Sequence, residues 1–458
     1  MPIVAQLPTE MSSIAQVIPQ DIIHEIFVQV AGANRLETFR ALYPGEFPWY
    51  LGHICSWWRT TLLSMTIRKL FVAINTETAE RITDKVTHFL ELNRGRQFDL
   101  VVLYFCCPQG CILTDAMSSH IFSLLIAEST HWRHVHLRVC HPSAILGRYR
   151  LKDHLPSLQS LRLENIRCDW VASFDGGSCR NSFANTPLTH LELSLADWDW
   201  KFDWSKLTYL HLGCLGHNDN HSESIFLSLQ QAINLNTLVT DVTVFTNFTR
   251  NERIMLPRLE SWRAYDCHCL RYIKAPALQN LYMDSVCGNG TGVVISFLRE
   301  SGCKLAYLTW DGTKEPSSFS KILRHVPELV HVKVLGDSDI IAASIESLSI
   351  PIPADLVFGS DLPAPRLRSL QVEFGIQGWR QDRNIDRLSK FLLFRNRQTA
   401  SNDGRPVDRI KWLIVGNDII QDERLRGLCE AFRVELHSPA DARALSIPSI
   451  FDNISKIF

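Results

Sequence analysis

The chain has 458 residues, 46% hydrophobic and 21% charged, a balance that excludes a disordered or collagen-like polymer and permits a large buried core. Its 47 Lys plus Arg stand against 48 Asp plus Glu, a formal net charge of -1, so no basic excess points to nucleic acid or to an acidic membrane surface. The 13 cysteines show no Cys-x-x-Cys spacing, no basic N-terminus with an apolar signal core precedes them, and no run reaches the roughly 18 apolar residues of a membrane span. The expectation is a reduced, soluble protein of the cytoplasm or nucleus, without nucleic-acid or membrane partners.

In chain order, residues 1–17 read as a leader, although Leu7-Pro8-Thr9-Glu10 imitates the helix opening at Ile18-Pro19. From Ile18 to Val30 the spacing predicts an amphipathic helix headed by Pro19, with Ile22, Ile23, Ile26, Phe27 and Val30 as its apolar stripe. From Pro48 a second helix is predicted, because Leu51, Ile54, Cys55, Trp58 and Leu62 recur at intervals of three and four, and proline is tolerated in a first turn. Two such short helices cannot bury their stripes alone and require each other and a neighbour.

Taken together, Ile18-Pro19, Glu25-Ile26-Phe27, Trp49, Leu51, Ile54-Cys55 and Trp58-Arg59 resemble the F-box. The likeness is to its fungal form, roughly Leu-Pro-x-Glu-Ile-Leu-x-x-Ile-Phe followed by Pro-Trp-x-Leu-x-x-Val-Cys-x-x-Trp-Arg. Ile18 replaces the usual Leu, an insertion-like segment runs from Ala31 to Phe47, and Ile67 and Phe71 stand where the family tends to have Pro and Trp. The resemblance implies a three-helix module over residues 18–75 that docks on a Skp-type adaptor and, through it, on a cullin-based (SCF) ubiquitin ligase. It assigns adaptor binding to Ile18, Pro19, Ile22, Ile23, Ile26, Phe27, Trp49, Leu51, Ile54 and Trp58.

Residues 76–130 read as connecting or capping strand-helix units. Strand-like Leu70 to Ile74 leads into a helix from Thr78 to Leu92, with Ile82, Val86, Phe89 and Leu90 on one face, then into strand-like Phe98 to Phe105. Asp115 caps a further predicted helix carrying Ile121, Leu124 and Leu125. From residue 131 to 420 one pattern recurs, clearest as Leu158-x-x-Leu161-x-Leu163, Leu188-x-x-Leu191-x-Leu193, Leu207-x-x-Leu210-x-Leu212 and Leu278-x-x-Leu281-x-Met283. Weaker copies centre on Val135, Leu238, Trp262, Leu308, Val332, Leu370 and Leu413. Most intervals are near the roughly 20–29 residues of a leucine-rich repeat, which the pattern resembles. That resemblance implies an α/β fold, an irregular solenoid of parallel strands with helices and turns outside. Helical returns are predicted at Ser222 to Ile233, Val293 to Glu300, Ser318 to His325 and Ile385 to Phe394, a loop excursion from Asp337 to Pro365, and a C-terminal cap over residues 421–458.

Side chains that could carry chemistry fall into a few groups. His131, His134, His136, Cys140 and His141 are dense, but a strand spaces same-face groups by about 7 Å, too far for one tetrahedral ion. Cys267-His268-Cys269 and Cys106-Cys107 with Cys111 supply no paired knuckle and read as core or edge thiols. Gly288 to Gly292 lacks both the dinucleotide spacing and the Lys-Ser/Thr of a phosphate loop and reads as a repeat turn. No nucleophile-base signature appears, so the expectation is a non-catalytic protein with no metal and no cofactor.

Two features point to a protein target. Between the inward leucines, the alternate residues face the side that is concave in a horseshoe, and they include Arg138, Arg162, Glu192, His211, Arg263, Tyr282 and Tyr307. Arg and Tyr are enriched at interface hot spots. Asp197 to Trp204 alternates Asp with Trp, so Trp198 and Trp200 are further candidates, although buried Trp most often anchors a core. The expected function is a substrate-recognition subunit of an SCF ubiquitin ligase; the alternative is a repeat scaffold that binds a Skp-type adaptor without ubiquitin transfer.

Overall fold

The computed structural model describes residues 18–31, 38–40, 58, 68–74, 79–104, 116–139, 142, 146, 151, 155–165, 183–194, 201–213, 222–240, 252–283, 290–311, 316–336, 338–349, 364–374, 381–397 and 407–438. The chain divides into two compact units, Met1–Asp203 and Trp204–Phe458. No helix among the described residues is long and apolar enough to cross a membrane.

The first unit contains helices α1 (Gln20–Ala31), α2 (Ala79–Leu92) and α3 (Ala116–Ala127). Its strands are β1 (Thr38–Arg40), β2 (Lys69–Ile74), β3 (Phe98–Tyr104), β4 (Trp132–Val139), β5 (Ser160–Asn165) and β6 (His190–Ser194). Each strand pairs in parallel with the next in chain order. The register slips once, between Phe98 and Leu100, where β4 carries an extra residue. A parallel pair needs a crossover connection, and α2 and α3, packed side by side, occupy two of them.

The second unit repeats this plan. Its main sheet runs β7 (Tyr209–Leu212), β8 (Thr237–Thr240), β10 (Ser261–Ala264), β12 (Asn280–Met283), β13 (Tyr307–Asp311), β14 (His331–Gly336), β15 (Ser369–Phe374), β16 (Trp412–Ile414) and β17 (Glu435–His437). Each of these strands is parallel to its neighbours. The returns hold α4 (Ser222–Gln231), α5 (Gly290–Ser301), α6 (Pro316–Leu323), α7 (Ser338–Ser349), α8 (Gln381–Arg397), α9 (Asn417–Ile420) and α10 (Glu423–Phe432). Helices α5 to α8 pack in succession, and α8 packs on α10.

Return length decides what each return becomes. Trp262 and Leu281, the centres of successive copies, lie only 19 residues apart, and the connection there is a 3-10 turn (Cys267–Tyr272) followed by the two-residue strand β11 (Ile273–Lys274). That strand pairs with β9 (Ile254–Met255) in a sheet of its own. The other 19-residue interval, Leu191 to Leu210, contains the 3-10 turn Trp204–Lys206. A 3-10 segment of one or two turns is what fits when there is too little chain for two or three α-helical turns.

The apolar repeat positions are inward without exception. In the clearest copies Leu158, Leu161, Leu163, Leu188, Leu191, Leu193, Leu207, Leu210, Leu212, Leu278, Leu281 and Met283 are buried, and so are the centres of all the weaker ones. The inward layer meets the helices: Trp262 sits edge-on to Phe297 of α5 at 5.6 Å, and Trp310 packs at 5.6 Å on Phe319 of α6. A turn precedes most copies, closed by the first leucine's N–H donating to the carbonyl three residues back, as in Leu259 to Leu256, Leu278 to Ala275, Leu329 to Val326 and Leu367 to Ala364. Pro257, Pro276, Pro327 and Pro365 occupy the second position of those turns, where a fixed φ suits the turn.

The loop expected from Asp337 to Pro365 is in part a helix. Ile341, Ala342, Ile345 and Leu348 of α7 are buried at helical spacing, and Pro365 belongs to a repeat turn. The remainder of that segment lies outside the described residues. So does most of the expected F-box, of which α1, β1 and Trp58 are described. β1 falls within the segment that reads as an insertion and pairs with β2.

Truncating a fully buried aromatic of this layer should cost about 3–5 kcal/mol. For Trp262→Ala we expect a loss of that size in urea unfolding of the chain, and a midpoint equal to wild type would contradict the packing described.

Candidate target-binding face

Residues between the inward positions point to the opposite face of each strand, and the parallel register lines them up in rows. In the first unit one row reads Phe71, Val101, His136, Arg162, Glu192, and the next Ala73, Leu103, Arg138, Glu164, Ser194. Glu164 is the hub. His136 Nε2 lies 3.3 Å and Arg138 Nε 3.5 Å from its carboxylate, and Arg162 donates to it as well. Arg162 also reaches Glu192 at 3.2 Å, and Arg133 grips Asp99 with two bonds of 3.0 Å.

Glu192, expected to face a target, is buried with only 6% of its side chain exposed, because a carboxylate leaves water only when paired. Lys69, Arg133, Arg138 and Arg162 face Asp99, Glu164 and Glu192, so the network is close to neutral and mainly ties neighbouring strands together. Arg138, with 55% of its side chain exposed, is the member most open to a partner.

The His136 imidazole 3.3 Å away, with the charge of Arg162 beside it, holds the Glu164 carboxyl down at about 2 in spite of burial. His134 and His190 are held below the usual imidazole range, by burial first. His131 pairs instead with Glu128 at 3.0 Å, and Cys140 and His141 lie outside the described residues, so the described histidines around β4 do not converge on a metal site.

In the second unit the rows read Tyr209, Thr237, Ser261, Asn280, Tyr307, His331, Ser369 and His211, Val239, Arg263, Tyr282, Thr309, Lys333, Gln371, Ile414. Tyr209, Val239, Thr309, His331, Gln371 and Ile414 are buried. Arg263 and Tyr265 are exposed, and His211, Tyr282, Tyr307 and Lys333 are half-buried. Cross-strand bonds tie the rows: Asn280 Nδ2 donates to Ser261 Oγ at 2.9 Å, His331 Nδ1 lies 2.8 Å from Ser369 Oγ, and Lys333 reaches diagonally to Glu373 at 2.9 Å. The His331–Ser369 pair is sealed from solvent, and burial, with the charge of Lys333 adding to it, pushes the His331 imidazole down to about 4.

Trp198 and Trp200 lie outside the described residues. At the described end of that stretch the core reading holds: Phe202 stacks on Phe183 at 5.4 Å, and Trp204 is buried. Of the residues assigned to the adaptor, Pro19 is exposed, Ile22 is 49% exposed, Ile23 is fully buried, and Ile18, Ile26 and Trp58 are half-buried. The side chain of Phe27, with Trp49, Leu51 and Ile54, lies outside the described residues. The ion pairs were missed in the sequence, although a signal exists: Arg162 and Glu192 hold the same position in successive copies with opposite charge.

Two of these shifts make stability depend on pH. Folded Glu164 resists protonation more than the unfolded chain, so its contribution is present above about 4.5 and lost as pH falls toward about 2. Folded His331 also resists protonation, so stability falls as pH drops from 6.5 toward about 4, where the unfolded chain takes the proton first. Thermal unfolding against pH should show both declines. Glu164→Gln should flatten the lower one and His331→Asn the upper one, and wild-type slopes in both variants would refute the assignments.

No family model matches the chain, and no curated protein matches it. Among solved structures, the crystal structure of the Rad7 and Elc1 complex in yeast is similar over 81% of this chain and 89% of that one, at 11% identity and a TM-score of 0.33. A likeness of that strength carries no weight for fold or function.

Proposed function

We propose that the chain is a non-catalytic substrate-recognition subunit of an SCF ubiquitin ligase, with its N-terminal F-box-like segment docking a Skp-type adaptor and its repeats binding a protein target. The observation that carries the reading is α1. Its Pro19 carbonyl accepts the first helical bonds, from the N–H groups of Ile22 and Ile23, and the two isoleucines then part: Ile23 is buried, and Ile22 stands 49% exposed. A single exposed apolar side chain is ordinary on any surface, and Ile22 gains weight from its place in a stretch that resembles an adaptor-docking motif.

The parallel repeats of each unit supply the second half of the reading. On the face opposite the inward leucines the first unit presents Arg138 and the second Arg263, Tyr265 and Tyr282, and Arg and Tyr are residue types on which interface energy concentrates. Ubiquitin transfer belongs to other subunits in this scheme.

Co-expression with a Skp-type adaptor tests the first half. Ile22→Asp, at an exposed position where folding is spared, should weaken adaptor capture at least tenfold, and undiminished capture would overturn the docking assignment. Recovery of a cullin with the wild-type complex separates a ligase subunit from a scaffold that binds the adaptor alone. Arg138→Glu should lower target recovery while leaving adaptor capture unchanged; if targets identified by proximity labelling persist, the face around β4 is not where they bind.

A further inference from the structure

Where β10 ends, the chain turns sharply into the 3-10 segment Cys267–Tyr272, and three consecutive side chains of different donor chemistry gather there. One ligating atom from each of Asp266, Cys267 and His268 lies within 4.8 Å of the others. We propose that these three residues form a site for a single divalent transition-metal ion of the zinc class.

The donor set selects the metal. One sulfur, one imidazole nitrogen and one carboxylate oxygen suit Zn²⁺ or Co²⁺, whereas Mg²⁺ and Ca²⁺ prefer all-oxygen shells. Donors at about 2.0–2.3 Å from one tetrahedral ion stand roughly 3.5 Å apart, so small side-chain rotations close the observed separations. The carboxylate is already oriented, because Asp266 Oδ1 accepts the His268 backbone N–H at 2.9 Å. Cys267 is fully buried on the core side, while His268 is half-buried and offers the approach from solvent. The turn itself is braced, since it packs on α5. With three protein ligands, the fourth position goes to water. Binding exchanges the Cys267 thiol proton for the metal–sulfur bond and releases that proton to solvent, so affinity rises with pH.

The site stands on chemistry separate from the ligase reading, and neither depends on the other. Titration of the purified full-length chain, under reducing conditions, with Co²⁺ is the test. One equivalent should produce a thiolate-to-cobalt charge-transfer band together with the visible absorption of tetrahedral cobalt, and both should be displaced by Zn²⁺ but not by Mg²⁺. Cys267→Ser should abolish the charge-transfer band, and Asp266→Asn and His268→Ala should each weaken Co²⁺ binding at least tenfold. His268→Ala alters a half-exposed side chain, so it remains informative if the buried Cys267 variant fails to fold. Absence of the band in wild type, its survival in Cys267→Ser, or unchanged affinity in His268→Ala would each overturn the proposal.

Discussion

The parallel hydrogen-bond ladder is the constraint on which everything else in each unit depends. A backbone group buried without a partner costs about as much as a lost hydrogen bond, and no repeat can satisfy its own strand. One residue before each strand the second unit shows this most plainly: Asn236 donates to Thr208, Glu260 to Asn236, Gln279 to Glu260, Ala306 to Gln279, and Val330 to Ala306. The spine continues through Arg368 to Val330, Lys411 to Arg368 and Glu435 to Lys411. Each repeat therefore completes its predecessor, and the inward leucines are stacked as a consequence.

Because parallel strands must be joined by a crossover, the ladder also dictates the returns. Where 24 or more residues separate copy centres, as from Leu308 to Val332, a helix such as α6 fits. Where only 19 are available, the return collapses to a 3-10 turn, and β9 with β11 substitutes for helix packing. The irregular spacing of the repeats is thus absorbed outside the sheet, and among the described strand pairs the register slips only at the bulge between β3 and β4.

The same register places unlike residues from distant copies side by side on the polar face. Opposite charges that meet there stabilise the pairing, and like charges would oppose it. Arg162 with Glu192, and Lys333 with Glu373, show that much of this face is occupied in holding strands together. Arg138 in the first unit, and Arg263 and Tyr265 in the second, remain exposed on these faces.

By itself the sequence determined where the repeat strands lie, though not β1, β9, β11 or β17, and which of their residues turn inward, since a period-two apolar pattern with repeated spacing encodes that locally at Leu161, Leu191, Leu210 and Leu281. It also located α2, α4, α5, α6 and α8, whose apolar stripes follow the helical period. Helix α7 was equally periodic but was obscured by the prolines beyond it, one of which, Pro365, belongs to the turn that opens the next repeat. Only the tertiary structure decided that Glu192, Gln371 and Ile414 are buried on the polar face, that His331 is sealed against Ser369, and that Asp266, Cys267 and His268 converge. The cross-strand contacts of the polar face join residues 19 to 40 positions apart, as with Ser261 to Asn280 or Lys333 to Glu373, and the convergence of three neighbours depends on the exact path of one tight turn. Neither the register between distant copies nor the path of a turn is carried by a local period, so both emerge only when the repeats stack.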